Sequence, residues 1–154
     1  TDINTGTLKD IRRLSMQISA RNQISGIVEL ITNGTVNAEV YIKLKSGYTI
    51  VSVITNTAVS NLNLKLGDEV VAIFKSNTVL ITTDISLNIS ARNKLQGKVN
   101  SINKGEINSE LIIDIGNGDK VASIITSNSI DNLKIKEGAQ VSAIIKASDV
   151  MIGK

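Results

Sequence analysis

Apolar and polar residues alternate along most of this chain, in short runs punctuated by glycine. Period-two runs bounded by turn signals predict half-buried strands. Ile24 to Ile31 is the first such run, Asn33-Gly34 supplies a turn, and Val36 to Leu44 follows with Glu39, Tyr41 and Lys43 between its apolar positions. Together they predict a hairpin. Ser46-Gly47 marks the next turn and Thr49 to Ile54 a β-branched strand. The period then changes, because Val59, Leu62 and Leu64 stand at roughly helical spacing and predict one or two helical turns between strands. Gly67-Asp68 ends this bridge. Val70 to Phe74 and Val79 to Ile81, separated by Lys75-Ser76-Asn77, read as two closing strands.

The same plan is then written again. Ser19-Ala20-Arg21-Asn22 returns as Ser90-Ala91-Arg92-Asn93, and at that offset residues 16–83 lie over 87–154 without a gap. Gly26 falls on Gly97, Glu39 on Glu110, Ser52 on Ser123, Thr55 on Thr126 and Lys75 on Lys146. In the second copy Ile107 to Ile115, Val121 to Ile125, Val141 to Ile145 and Val150 to Ile152 are the strands, and Ser129 to Leu133 is the helical turn. Five short strands and one helical turn in about 70 residues predict a small Greek-key barrel of the OB type. The fold class is therefore all-β: two tandem OB-like five-stranded Greek-key barrels, over 16–83 and 87–154, each with a short helical turn. Residues 82–88 are the connection, and 1–15 a leader or linker in which Leu8, Ile11 and Leu14 predict a short helix. Units this small lean on their neighbours. With a short connection free of proline, the two barrels are expected to pack together or to share strands.

Composition narrows the chemistry. The 154 residues contain no histidine and no cysteine, which excludes imidazole catalysis, disulfides and thiolate metal sites. Serines are plentiful, but nothing is present to activate one as a nucleophile, and Glu39 with Glu110 gives one repeated acid per barrel rather than a catalytic pair. That acid reads most simply as an exposed or cross-strand partner for a lysine. An enzyme is not expected. The net charge of +3 is scattered, and Phe74, Tyr41 and Tyr48 are the aromatic residues, too few to stack single-stranded nucleic acid. No apolar run is long enough to span a bilayer, and no signal-peptide pattern is present. Neither a membrane nor, through this chain alone, a nucleic acid is an expected partner, and the expected location is cytoplasmic.

The polar residues kept by both copies are the candidate site. Arg21 and Lys75 bring fixed positive charge, and Ser19, Ser52 and Thr55 bring hydroxyls, with Asn22 beside them. A set made almost wholly of donors suits a small anion. Thr55 opens the helical bridge, where unpaired backbone amides add to the attraction. An oxyanion that carries no proton at neutral pH fits best, because a protonated oxygen would leave its hydrogen unpaired. Sulfate, molybdate and tungstate are favoured over phosphate on this ground.

A resemblance sharpens that reading. Ile18-Ser19-Ala20-Arg21-Asn22-Gln23, followed by Gly26 and Val28, resembles the opening motif of the molbindin or Mop family. Ile89-Ser90-Ala91-Arg92-Asn93-Lys94-Leu95 with Gly97 and Val99 resembles it again, and the likeness extends to Ala72-Ile73-Phe74-Lys75-Ser76 and Ala143-Ile144-Ile145-Lys146-Ala147. The resemblance implies OB-like barrels that bind molybdate or tungstate without catalysis, in a homo-oligomer, dimer or trimer, with sites shared between domains. Carried over by position, the oxyanion contacts are Ser19, Arg21, Thr55 and Lys75 in repeat one, and Ser90, Arg92, Thr126, Ser129 and Lys146 in repeat two. Asn22, Asn93, Ser52 and Ser123 are secondary candidates. Repeat one has Ala58 where repeat two has Ser129, so the site using Ala58 is expected to be the weaker. Asp10 to Gln17 resembles the segment that joins the DNA-binding part of molybdate-responsive repressors to their first Mop domain. The expected role is thus a regulator's ligand-sensing module, the alternatives being a free-standing molybdate store or buffer and, more remotely, the tail of a transporter ATPase.

Overall fold

A computed structural model describes residues 17–154, and the helix expected over Leu8 to Leu14 lies outside the described residues. In repeat one, β1 (Asn22–Asn33), β2 (Asn37–Leu44) and β3 (Thr49–Thr55) precede the helix α1 (Asn56–Asn61), and β4 (Glu69–Phe74), a 3-10 turn (Ser76–Thr78) and β5 (Leu80–Thr82) follow it. Repeat two has β6 (Asn93–Lys104), β7 (Asn108–Gly116), β8 (Asp119–Thr126), α2 (Ser127–Leu133), β9 (Gln140–Ile145), a 3-10 turn (Ala147–Asp149) and β10 (Met151–Gly153). The alternation in the sequence is the reason. Val40, Ile42 and Leu44 in β2 are buried and Lys43 between them is exposed, so β2 turns one face to the core.

Each long first strand serves two neighbours. β1 pairs with β4 through its first half and with β2 through its second, and a bulge between Val28 and Leu30 bends it so that the sheet can curl. β6 repeats the arrangement, with its bulge between Val99 and Ser101. Gly26 sits where β1 crosses closest to β2: a Cβ there would stand 2.7 Å from the Lys43 carbonyl oxygen, a contact only glycine avoids.

The closing strands are exchanged. The two sheets run β10-β4-β1-β2-β3 and β5-β9-β6-β7-β8, so the last strand of each repeat completes the sheet of the other. Met151 and Ile152 pair with Ile73 and Ala72, and Leu80 and Ile81 with Ile144 and Ala143. The result is two tandem barrel-like five-stranded antiparallel sheets whose strands are shared, as the short connection led one to expect. Val79 and Val150, just before the exchanged strands, are each 1% exposed, and the apolar interiors of both repeats merge into one hydrophobic cluster. Neither half encloses its core alone.

Candidate functional site

Two symmetry-related basic clusters stand at the seam between the repeats. Ser19-Ala20-Arg21 forms the bend that leads into β1, pinned where Gln23 Nε2 donates to the Ala20 carbonyl at 3.0 Å. Lys75 follows β4, and the pairing of Asn22 with Phe74 sets Arg21 and Lys75 side by side. Ser19, Arg21, Lys75 and Ser76 line an open cavity of about 300 Å³ whose wall includes Ile124 of β8 and Met151 of β10. The second cluster copies the first: Ser90, Arg92 and Lys146 line a cavity of about 370 Å³ with Val53 of β3 and Leu80 of β5. Here Ala147 occupies the place of Ser76.

Each cavity is therefore composite, with its cations from one repeat and its far wall from the other. Arg21 forms an ion pair with Glu110, and Arg92 one with Glu39. Glu39 and Glu110 are thus partners for an arginine of the opposite repeat, rather than for a lysine. Arg92 also donates from Nη2 to the Tyr41 hydroxyl at 2.9 Å, and the pull of Tyr41 and then of Glu39 raises its already high pKa.

Thr55 and Thr126 cap the helices. The Thr55 hydroxyl accepts from the Ala58 backbone N–H at 3.0 Å, and the Thr126 hydroxyl accepts from the Ser129 N–H at 3.1 Å. The Ser129 and Thr126 hydroxyls are 2.7 Å apart. None of these residues lines either cavity. Thr126 lies two residues beyond Ile124 on β8, hence on the same face and roughly 7 Å along the strand from the wall of the Arg21 cavity. Thr55 stands in the same relation to Val53 and the Arg92 cavity. The far walls cross over between repeats: Ile124 of β8 lines the Arg21 cavity and Val53 of β3 the Arg92 cavity.

The secondary candidates are occupied elsewhere. Asn22 Nδ2 donates to the Ala122 carbonyl at 2.8 Å while its Oδ1 accepts from the Ala122 N–H at 2.7 Å. Asn93 makes the same double contact with Val51, at 2.8 and 2.7 Å. Ser52 donates to the Val150 carbonyl at 2.6 Å, and Ser123 to that of Val79 at 2.8 Å. All four are no more than 2% exposed, and they tie one repeat to the other. Ser76 and Tyr41, in contrast, lie at or beside the clusters and escape a search for duplicated residues, since their counterparts are Ala147 and Ile112. Among the described residues no group of His, Cys, Asp and Glu is placed to hold a metal cation, and no helix is long and apolar enough to cross a membrane.

The TOBE domain pattern matches residues 18–81 and again 89–152, so that the repeats seen in sequence and fold are two copies of it. The chain belongs to the TOBE domain family. Its TOBE pair is 37% identical over 155 aligned residues to the molybdenum transport protein ModE of Azotobacter vinelandii, covering 98% of this chain and 57% of that protein. It is 35% identical to the molybdenum-pterin-binding protein MopA of Rhodobacter capsulatus, over 94% of this chain and 55% of MopA. The chain thus spans little more than half the length of these relatives. Among solved structures, the molybdate-bound form of the cytoplasmic molybdate-binding protein ModG superposes with a TM-score of 0.86 and 41% identity, covering 90% of this chain and 99% of ModG. The transcriptional regulator ModE of Yersinia pestis is 34% identical over 94% of this chain and 56% of that protein. These relatives are named for binding, transport and regulation rather than for catalysis.

Proposed function

We propose that this TOBE pair binds molybdate or tungstate at the two composite cavities, as the ligand-sensing module of a molybdate-responsive transcription regulator. The observation that carries the reading is the convergence of Ser19, Arg21 and Lys75 on one cavity, and of Ser90, Arg92 and Lys146 on its symmetry mate. Fixed cations and hydroxyls, with the repeat-borne carboxylates already paired to arginine, suit a proton-free dianion. Thr126 with Ser129 completes the Arg21 site from β8, and Thr55 completes the Arg92 site from β3. The likeness to ModE over nearly the whole chain supports the regulatory role. A free-standing store or buffer is favoured instead by ModG, which this chain covers almost end to end. A cytoplasmic location is part of the reading for either role, supported by ModG, which is described as cytoplasmic. Self-association into a dimer or trimer is part of the reading, because Val36 and Ile107, at the hairpin tips beside the helix caps, are 66% and 77% exposed.

Calorimetry is the test. Molybdate and tungstate should bind tightly and sulfate poorly, since a cavity shaped for the larger tetrahedron holds its donors too far from sulfate oxygens. Ser129→Ala should weaken the Arg21 site about tenfold, the worth of one charge-assisted hydrogen bond at the low end of its range. Equal affinity for sulfate would refute the ligand, and an unchanged Ser129→Ala titration would remove that hydroxyl from the site.

A further inference from the structure

The arginines of the two cavities are not held alike. Arg92 closes a three-membered ring of side chains: Nη1 donates to Glu39, Nη2 donates to the Tyr41 hydroxyl at 2.9 Å, and that hydroxyl donates to the other Glu39 oxygen at 3.2 Å. The guanidinium carbon lies 5.9 Å from the centre of the Tyr41 ring, close enough for cation–π attraction. Glu39 and Tyr41 are two residues apart on β2 and so project from one face of it. Arg21 has the matching carboxylate, Glu110, but Ile112 stands where the tyrosine would be. Ile112 can neither accept from the guanidinium nor orient the carboxylate.

We propose that Glu39 and Tyr41 form a built-in counterion clamp that an entering oxyanion must displace from Arg92, whereas among the described residues Glu110 alone restrains Arg21, so that the two cavities fill in order, the Arg21 cavity first. This rests on the oxyanion reading above and adds to it a determinant of affinity. A dianion entering beside Arg92 meets a carboxylate already using the guanidinium, and the two anions repel each other. The clamp must open or be shared. Two further differences act in the same direction, since the Arg92 cavity has Ala147 in place of Ser76, and the β3 strand in its wall leads on to Ala58 where β8 leads on to Ser129. Glu39 and Tyr41 act on the anion through Arg92, as positioning residues.

The experiment is molybdate calorimetry on the whole chain at physiological salt, fitted for two classes of site, with melting curves on every variant. Glu39→Gln should tighten the weaker class about fivefold and leave the stronger class alone, the change expected from releasing one exposed ion pair. Tyr41→Ile, which installs the arrangement of repeat two, should tighten the same class by a smaller factor, and Glu110→Gln should act on the stronger class only. A purely structural ion pair would give the opposite sign, weaker binding together with a lower melting temperature. Weaker or unchanged binding in Glu39→Gln and Tyr41→Ile, equal effects on both classes, or a wild type with one class of identical sites would overturn the clamp. If Glu39→Gln fails to fold, Tyr41→Ile decides by itself. A wild type that binds no molybdate removes the oxyanion reading and the clamp together, whereas binding that ignores these substitutions removes the clamp alone.

Discussion

Asp119 is a carboxylate in an unfavourable place. It is 7% exposed at the start of β8, where it accepts from the Ser46 backbone N–H at 3.3 Å and has Lys45 Nζ 3.9 Å away. Burial is the larger influence and raises its pKa above the ordinary aspartate value, against the opposing pull of Lys45 and Ser46. The folded state therefore holds this proton more tightly than the unfolded chain does. The stability linked to Asp119 is fully present below the unfolded pKa, and it is lost as pH rises through the folded one. Asp119→Asn keeps an oxygen for Ser46 and drops the charge, and the exposed Lys45 loses little by it. The variant should melt higher than wild type at about pH 7.5, and the difference should shrink at about pH 3, below both pKa values. A thermal melt at each pH checks this; a variant that melts lower at neutral pH would mean that the Lys45 contact outweighs burial. Gly116-Asn117-Gly118 marks the preceding turn in the sequence, but the contact with repeat one leaves no such mark, because nothing local in a turn reveals what docks against it.

At the scale of elements, β3 and β8 join the repeats. The middle of each, Ile50 to Ser52 and Val121 to Ser123, is buried on both faces, one against its own barrel and the other against the 3-10 turn and first strand of the opposite repeat, which is why the β-branched run Thr49 to Ile54 hardly alternates. Asn22 and Asn93 are what make this contact specific: each side-chain amide pairs with both backbone groups of a single residue on the strand it faces. Asn93→Ala would leave the Val51 N–H and carbonyl unpaired in a dry seam, at a cost of about 2 to 3 kcal/mol. Urea unfolding should show that loss, and a change below about 0.5 kcal/mol, the level of an ordinary surface substitution, would mean that water reaches the seam. These residues also mark the limit of the sequence reading. Strands, turns and helical bridge are visible as changes of period, and the arginines and lysines stand out as duplicated charge. Asn22, Ser52 and their copies were drawn into the anion set by the same duplication, although Ser52, flanked by Val51 and Val53 in an apolar run, carries the mark of a buried polar group that must find a protein partner. Duplication reports that a residue is needed in both halves; whether for ligand or for seam depends on burial.

The whole molecule adds a feature that no periodicity can encode: which repeat a closing strand belongs to. β5 and β10 have the same pattern, and each would fit either sheet, so the choice rests on where the preceding 3-10 turn delivers the chain. Residues 16–83 produced alone would lack β10 beside β4 and would leave the slot filled by Val150 open to water. The expected product is a dimer in which two copies trade β5, with a monomer that is poorly folded or absent. Light scattering across a dilution series checks this, and a stable, well-folded monomer would show that a repeat can close on its own strand. In the full chain the trade takes place within one polypeptide, where the tether holds each closing strand near its slot at an effective concentration in the millimolar range. Pairing that between separate copies would fall apart on dilution is here independent of protein concentration, and the two basic cavities along the same seam stay assembled however few molecules a cell contains.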